Sequence, residues 1–333
     1  MGDRPTGEVA DVPRAISRKA TGADRVFVLG TGAIGASVLV ITGGIGIFLA
    51  IQAFPTLSRY GFSFFTESEW SPEQDKIGIS GVLLGTFTVA AVAMTFAFPL
   101  ALATALYISE YAPPRIKSFL VSMVDLMAAV PSIIYGLWGF FLMQPLASEL
   151  ARWLQAYLGW MPWFHVNSDP HAAQWQALQY SSSAFIAGIA VAMMVLPMAA
   201  AVMREVFSQT PIGEREGALA LGATRWGVIR SVVLPFGKGG VIGGTMLGMG
   251  RALGETIAVL LIISPSFDLK FRPLEIGTET VSALIAGRFA EASSVQLRAL
   301  LTAGFVLFLI TLVINTFAAM VVSRSRSGAG TDL

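Results

Sequence analysis

The chain has 333 residues, of which 54% are hydrophobic and 13% are charged, and its mean hydropathy is +0.68. Soluble domains carry about 25% charged residues, so this composition excludes an ordinary soluble protein and indicates an integral membrane protein. The chain contains no cysteine, which excludes disulfide bonds and cysteine-based metal sites, and a formal net charge of +1 identifies no partner.

The N-terminal residues form a basic tail without apolar periodicity. Residues 1–25 mix Gly, Pro and Asp with Arg4, Arg14, Arg18, Lys19 and Arg25, and we predict that this tail is disordered and cytoplasmic. The uncharged run at 26–54 has 29 residues, more than the apolar region of a signal peptide. We therefore interpret residues 26–54 as a retained transmembrane anchor helix.

Six segments are long and apolar enough to cross a bilayer as helices, the anchor being the first. The other five are residues 80–108, 119–146, 183–203, 235–263 and 297–322. The predicted fold is an all-α membrane protein with six transmembrane helices and a core at 80–322. Three prolines inside apolar segments predict kinks or breaks, and Pro131, followed by Ser132 and Gly136, is the best candidate for a break near a pathway. The other two are Pro99 and Pro197.

Lysine and arginine are unevenly distributed between alternate loops. The two tails and the loops 109–118 and 204–234 hold 13 of them, whereas the loops 55–79, 147–182 and 264–296 hold 6. The positive-inside rule therefore places both termini in the cytoplasm, with residues 323–333 as a short tail. We expect a multi-pass protein of the cell membrane that contacts lipid and binds no nucleic acid.

The fifth apolar segment contains two charges one helical turn apart, Arg251 and Glu255. Its eleven Leu, Ile, Val and Phe residues contribute roughly −3 to −7 kcal/mol to insertion, and two central charges cost about 5–7 kcal/mol. Because these terms nearly cancel, this helix is not expected to face lipid alone. A helical wheel places both charges on the stripe of Gly240, Gly244 and Gly248, which we predict to be helix-packing positions.

The sequence leaves two interpretations of this pair open. Arg251 and Glu255 form an intrahelical ion pair that joins helices, or they contact an anion in a translocation pathway. The second is favoured, because buried ion pairs are poor stabilisers and the planar guanidinium matches a tetrahedral oxyanion. Glu255 would then restrain the arginine and weaken anion binding, so that the ion can leave.

A lone carboxylate in the third apolar segment, Asp125, is a further candidate for the pathway. A carboxylate at this position is costly in a membrane, so we expect it to pair with Arg251 or with a basic group of a neighbouring subunit. The alternative is a position near the cytoplasmic end, where the carboxylate reaches interfacial water.

The loop 204–234 is longer than a connector needs to be. It is predicted to contain a helix from Ile212 to Leu221 that is stopped by Gly222, and a second helix that starts at Arg225 after the cap Thr224. Such a helix–glycine–helix segment can protrude from the membrane surface.

This segment resembles the cytoplasmic signature of ATP-binding-cassette (ABC) importer permeases. The matching positions include Glu216, Ala218, Gly222 and Leu234, while Gly217 replaces the alanine of the family. In that family the short helix docks in a cleft of the ATP-binding subunit and transmits its closure. The resemblance implies a type I importer permease bundle with a cytoplasmic coupling helix, whose coupling residues are Glu216, Gly217, Ala218, Gly222 and Ala223.

Other stretches narrow the resemblance to the C-type permeases of phosphate-specific transport systems. They are residues 64–70, 112–114, 129–139, 219–226 and 251–256. In that family the arginine and glutamate at the positions of Arg251 and Glu255 are implicated in phosphate passage. The resemblance implies a non-catalytic subunit that binds no cofactor. Its expected partners are a second homologous permease, two ATP-binding subunits that hydrolyse ATP, and an extracytoplasmic phosphate-binding protein.

Two rival functions use the same residues. An ABC permease for another oxyanion, such as molybdate or phosphonate, would share the whole architecture. A proton-coupled secondary carrier would use Arg251, Glu255 and Asp125 as a proton relay, but such carriers usually contain inverted repeats and need no coupling loop. His165 and His171 lie apart from any carboxylate cluster, so no metal site is expected, and no P-loop motif is present.

Overall fold

The structure, a computed structural model, describes residues 22–167 and 179–325. The predictions for residues 1–21, for His171 and for residues 326–333 therefore lie outside the described residues. Within the described ranges the regular secondary structure is helical apart from one antiparallel hairpin of β1 (Trp70–Ser71) and β2 (Lys76–Ile77) and an isolated bridge between Ser183 and Ile276. In this hairpin Trp70 pairs with Ile77 and Ser71 pairs with Lys76.

Thirteen α-helices follow one another along the described chain. They are α1 (Gly22–Tyr60), α2 (Ser63–Thr66), α3 (Ser80–Leu106), α4 (Pro114–Ala129), α5 (Ser132–Trp138), α6 (Gln144–Leu158), α7 (Ala184–Ser208), α8 (Ile212–Ala220), α9 (Arg225–Val228), α10 (Leu234–Gly254), α11 (Ile257–Ile262), α12 (Val281–Arg288) and α13 (Ser294–Ser325). π-helical turns follow α3, α5 and α9, at Tyr107–Tyr111, Gly139–Met143 and Ile229–Val233. Short 3₁₀ turns lie at Pro72–Gln74 and Phe289–Glu291.

Five helical stretches of the described chain have the length and composition of membrane spans. They are Asp24–Tyr60, Ser80–Tyr111, Ala184–Ser208, Arg225–Gly254 and Ser294–Val322. A sixth span is formed if Pro114–Ala129 and Ser132–Leu158, which are bent by 90° at their junction, cross together. The fold is therefore that of a multi-pass membrane protein with five to six spans.

Two of the predicted spans are interrupted. The segment 119–146 breaks at Val130–Pro131, where Val130 is extended (ψ 130°) because a following proline disfavours helical backbone. This break agrees with the prediction from Pro131. The segment 235–263 differs from the predicted continuous helix, because α10 ends at Gly254, Glu255 is extended (ψ 131°) and α11 begins at Ile257. No proline lies at this second break, so the sequence carried no local sign of it.

The chain divides into two compact units after Phe48. The described part of the first unit belongs to α1, and its large apolar side chains, such as Val26, Leu39 and Ile47, are exposed. Such an apolar, exposed helix suits a lipid environment.

In the second unit, α7 is the central helix and packs against α3, α4 and α10. Small side chains bring α3 and α7 close together, and a β-carbon added to Gly188 would lie 2.5 Å from a methyl of Val92. Ala93 and Ala190 are fully buried in the same core. In lipid such close packing supplies the van der Waals contact that holds helices together.

The two ends of this bundle have separate apolar clusters. At one end the last turns of α3 and α7 meet α4 and the segment after α8, with Ile108, Phe207 and Val228 buried. At the other end the hairpin and α12 pack on the start of α3 and of α13, around Val82 and Leu300. The long loop that contains α8 therefore lies at the end opposite the hairpin.

Candidate functional site

A row of glycines brings α10 against α7. A β-carbon added to Gly240 would lie 2.4 Å from Cβ of Val206, and one added to Gly248 would lie 2.7 Å from a methyl of Val195. Gly244, between them, is also buried. The glycines that the wheel selects therefore lie at a helix contact, where a side chain would force the helices apart.

Arg251 and Glu255 lie at the end of this glycine row, but they do not share one face of the helix as the helical wheel predicted. Glu255 is 8% exposed, whereas Arg251 is exposed, and in the described part of the chain no ion pair joins them. The buried ridge advances by four residues a step, from Gly248 to Ala252, and each step rotates it by about 40° around the helix. By Ala252 the ridge has turned away from Arg251. The intrahelical ion pair considered from the sequence is therefore not formed.

Glu255 lies at the break between α10 and α11. Its Oε1 accepts a hydrogen bond of 3.3 Å from the backbone N–H of Ala258, in the first turn of α11. A carboxylate at this position satisfies a free N–H and complements the positive end of the helix. Within a membrane, non-helical backbone occurs where it is buried in protein or lines a water-filled cavity. The break is thus a place where polar groups are tolerated.

Helix α5, which follows the first break, packs against α11, which follows the second break. A β-carbon added to Gly136 would lie 2.8 Å from Cα of Ala258. The hydroxyl of Tyr135 donates a 2.8 Å hydrogen bond to the carbonyl of Met127 across the first break, and Arg251 acts electrostatically on the same phenol. Two discontinuous helices and an exposed guanidinium therefore meet in one region, which is typical of substrate sites in membrane transport proteins.

Asp125 has a different partner from the one predicted. Its Oδ1 lies 3.6 Å from Nη2 of Arg204 on α7, and not beside Arg251. The Asp125 side chain is 53% exposed, so interfacial water can reach it, and Arg204 is 14% exposed. Nη1 of Arg204 is buried without a hydrogen-bond partner among the described residues. Arg204 lies in α7 about one turn before its last residue, Ser208. The pair is therefore near the end of α7 that leads to α8.

The loop after α7 forms the predicted helix–glycine–helix segment. Helix α8 ends at Ala220, one residue before the predicted end, and Gly222 has φ +85°, which favours glycine because a β-carbon is strained there. The hydroxyl of Thr224 accepts a 3.1 Å hydrogen bond from the N–H of Gly227 and caps α9. The local prediction for this loop is confirmed.

The helix–glycine–helix segment is exposed on the side that faces away from the bundle. No residue of α8 is fully buried, and a β-carbon added to Gly217 or Gly222 would meet no atom within 4 Å. Of the predicted coupling residues, Glu216, Gly217 and Gly222 are exposed, and Ala218 and Ala223 pack partly on the bundle. Leu221 and Trp226 are 90% and 57% exposed. Exposed apolar side chains on a protruding segment mark a surface for protein–protein contact.

Four charged residues that are paired or buried in the structure were not identified from the sequence as candidates: Arg204, Arg215, Glu110 and Glu279. Arg204 is the partner of Asp125, and Arg215 of α8 is the partner of Glu110 at the end of α3. Both arginines lie in the loop 204–234, and from the sequence they contributed only to the predicted orientation of the chain in the membrane. Their signal is weak, because a charge at the end of a span usually reaches water.

The fourth of these, Glu279, is a buried carboxylate between α11 and α12, and it is 3% exposed. Burial raises the pKa of Glu279 from its ordinary 4.5 to about 7, and a 3.2 Å hydrogen bond from the N–H of Thr280 and the charge of Arg288 oppose this shift. The segment is fixed to α3, because the N–H of Val281 donates a 3.0 Å hydrogen bond to the hydroxyl of Thr86. Glu279 thus lies at the end of the bundle opposite α8.

Comparison with known proteins places these features in a family. Residues 97–327 match the family described as binding-protein-dependent transport system inner membrane component. The phosphate transport system permease protein PstC 2 of Mycobacterium tuberculosis is 37% identical over 315 residues, which cover 93% of this chain and 95% of the relative. PstC of Haemophilus influenzae is 36% identical over 294 residues, which cover 88% of this chain and 91% of the relative.

Solved structures share the fold at low sequence identity. A bacterial alginate ABC transporter in complex with an alginate-bound periplasmic protein has a TM-score of 0.57 at 16% identity, covering 92% of this chain and 97% of that chain. The inward-facing methionine ABC transporter MetNI has a TM-score of 0.52 at 15% identity, covering 77% of this chain and 99% of that chain. The chain belongs to the family of binding-protein-dependent transport system inner membrane components, within the group of phosphate transport system permease proteins.

Proposed function

We propose that the chain is a transmembrane permease subunit of an ATP-driven importer of inorganic phosphate. The observation that carries this proposal is the likeness to phosphate transport system permeases along 93% of the chain. The exposed segment of α8 and α9 supports the ATP-driven mechanism, because an importer of this class needs a surface on which its ATP-binding subunits act. The chain itself binds no cofactor, and its partners hydrolyse ATP.

Phosphate passes beside Arg251 and Glu255. Arg251 is exposed, and it forms no ion pair with a carboxylate in the described part of the chain. Its charge is therefore available to an anion. Glu255 lies one helical turn further, at a break in the helix, and its negative charge limits how tightly an anion is held. Asp125, paired with Arg204 and half-exposed, belongs to the cytoplasmic end of this pathway.

The chain supplies half of the pathway, and a second homologous permease supplies the other half. Two ATP-binding subunits contact the coupling segments of the two permeases, in this chain through Glu216, Gly217, Ala218, Gly222 and Ala223. An extracytoplasmic phosphate-binding protein docks on the opposite face, at the end of the hairpin and α12. This arrangement requires both termini in the cytoplasm, in agreement with the distribution of Lys and Arg between the loops.

Reconstituted transport tests the proposal. The chain and its second permease are placed in liposomes with and without the ATP-binding subunits, and uptake of phosphate, sulfate and molybdate from the binding protein is measured. Phosphate uptake that requires ATP and the ATP-binding subunits is expected. Uptake driven by a proton gradient in their absence would refute the ABC mechanism, and a preference for molybdate would refute the assignment of phosphate.

A further inference from the structure

Arg215 attaches α8, the proposed coupling helix, to the transmembrane bundle by polar contacts. Its Nη2 lies 3.1 Å from Oε1 of Glu110 and donates a 2.6 Å hydrogen bond to the carbonyl of Phe207. Glu110 closes the span that begins with α3, and Phe207 lies in the last turn of α7. One guanidinium therefore joins α8 to the last turn of α7 and to the turn that follows α3.

The contact between Arg215 and Glu110 is shielded from water. The Arg215 side chain is 24% exposed and that of Glu110 is 11% exposed, and Nε of Arg215 is buried without a partner among the described residues. Ser109 holds the carboxylate with a 2.6 Å hydrogen bond from its hydroxyl. A shielded ion pair is weakly screened by salt, and the loss of one partner leaves a poorly solvated charge. Loss of either partner should therefore cost more than at an ordinary surface salt bridge.

π-helical turns lie at two of the places where the segment of α8 and α9 meets the transmembrane bundle. Glu110 lies in the π-helical turn Tyr107–Tyr111, which is closed by a 2.8 Å hydrogen bond from the N–H of Ala112 to the carbonyl of Tyr107. A second π-helical turn, Ile229–Val233, joins the coupling segment to α10, the helix of Arg251. π-helical turns are rare and occur mostly at functional sites, where a helix has to yield locally. Helix α8 thus contacts one such turn through Arg215, and the chain after α9 continues into the other.

We propose that Arg215 and Glu110 form a latch that transmits the movement of α8 to α3 and α7. This inference rests on the proposed function and deepens it. When an ATP-binding subunit moves α8, the latch carries α3 and α7 along, while the chain connection through the turn Ile229–Val233 carries α10. Arg215 is a positioning residue, because it contacts neither phosphate nor ATP. Without the latch, α8 no longer carries α3 along, and ATP hydrolysis drives transport less efficiently.

The ratio of phosphate taken up to ATP hydrolysed tests the latch in the complete reconstituted complex. In Arg215→Ala and in Glu110→Ala this ratio should fall by about fivefold or more, the lower end of typical coupling effects, while ATP hydrolysis continues. Arg115→Ala is the matched control, because Arg115 is an exposed arginine at the start of α4, near the same end of the bundle. Its ratio should equal that of the wild type.

A reversible crosslink separates a latch from a role in folding alone. The chain has no cysteine, so Glu110→Cys with Arg215→Cys introduces the only thiol pair in it. The ratio should be low in this double variant, return toward the wild-type value when a short disulfide-containing crosslinker joins the thiols, and fall again on reduction. A crosslinked complex that stays uncoupled would overturn the proposal, as would an unchanged ratio in assembled Arg215→Ala complexes.

The wild-type complex in the same assay keeps the two proposals distinct. If it transports another oxyanion, the assignment of phosphate fails. The ratio is then measured with that anion, and the latch is still tested.

Discussion

The carboxylate of Asp125 lies 3.6 Å from the guanidinium of Arg204, so the one acidic residue of α4 is paired within the subunit. Arg251, one of the two partners expected from the sequence, lies elsewhere on the surface of α10 and is exposed. Since neither Asp125 nor Glu255 neutralises it, the charge of Arg251 is available to an anion. This division of partners gives Arg204 a structural role and supports the proposal that Arg251 contacts the anion.

Replacement of Arg251 should therefore affect transport much more than stability. Arg251→Gln is expected to lower phosphate uptake by about tenfold or more, because a charge-assisted hydrogen bond to phosphate is lost. Lys238→Gln, an exposed cation on the same helix, serves as the control and should transport normally. Uptake is measured in the reconstituted complex and unfolding temperature in detergent. Normal uptake in Arg251→Gln would remove this residue from the pathway.

The charge of Glu255 should favour phosphate over sulfate. Phosphate carries a proton near neutral pH and can donate it to a carboxylate, whereas sulfate cannot. Glu255→Gln keeps an oxygen that accepts the hydrogen bond from Ala258 and removes only the charge, so relative sulfate uptake should rise. Asp125→Asn makes the same change at the second carboxylate. If competition assays find the same phosphate preference in both variants, the carboxylates do not select the anion.

The coupling loop could be predicted from the sequence because its signals are local. Thr224 caps a helix through the backbone N–H three residues later, and Gly222 accepts a positive φ that other residues avoid. The break at Pro131 was likewise predictable, because proline itself prevents a helical conformation in Val130. In each case, neighbours in the sequence determine the structure.

The arrangement around Glu255 could not be predicted in this way. The break between α10 and α11 contains no proline, and its backbone is held by Glu255 itself and by the packing of Ala258 on Gly136. The wheel also failed at Arg251, because it assumed one straight stripe, while the contact with α7 follows a ridge that turns around α10. Both features depend on how distant helices meet.

The glycine row provides a test of this packing. Gly240→Ala should destabilise the protein by about 1–3 kcal/mol, since the new β-carbon would lie 2.4 Å from Cβ of Val206 and the helices must move apart. Gly243→Ala is the matched control on the same helix, because its β-carbon would lie 3.9 Å from the nearest neighbour, Val322. The higher helix propensity of alanine is common to both. Unfolding in detergent should separate the two variants, and equal stabilities would contradict the observed contact.

Glu279 should make stability depend on pH. Its pKa is raised from 4.5 to about 7 by burial, so between these values the folded state binds more protons than the unfolded state. Stability therefore falls as the pH rises through this window, and above it the buried carboxylate is charged at full cost. Glu279→Gln removes that charge and keeps the shape of the side chain.

The variant Glu279→Gln should consequently exceed the wild type in stability by on the order of 2–3 kcal/mol at about pH 8, and the difference should shrink toward zero as the pH approaches 4.5. Glu291→Gln, at an exposed carboxylate after α12, controls for the general loss of a negative charge. Thermal unfolding in detergent across this pH range measures both variants. A gain that is the same at every pH would mean that the amide packs better than the carboxyl group, because only the ionisation of Glu279 gives the difference a dependence on pH.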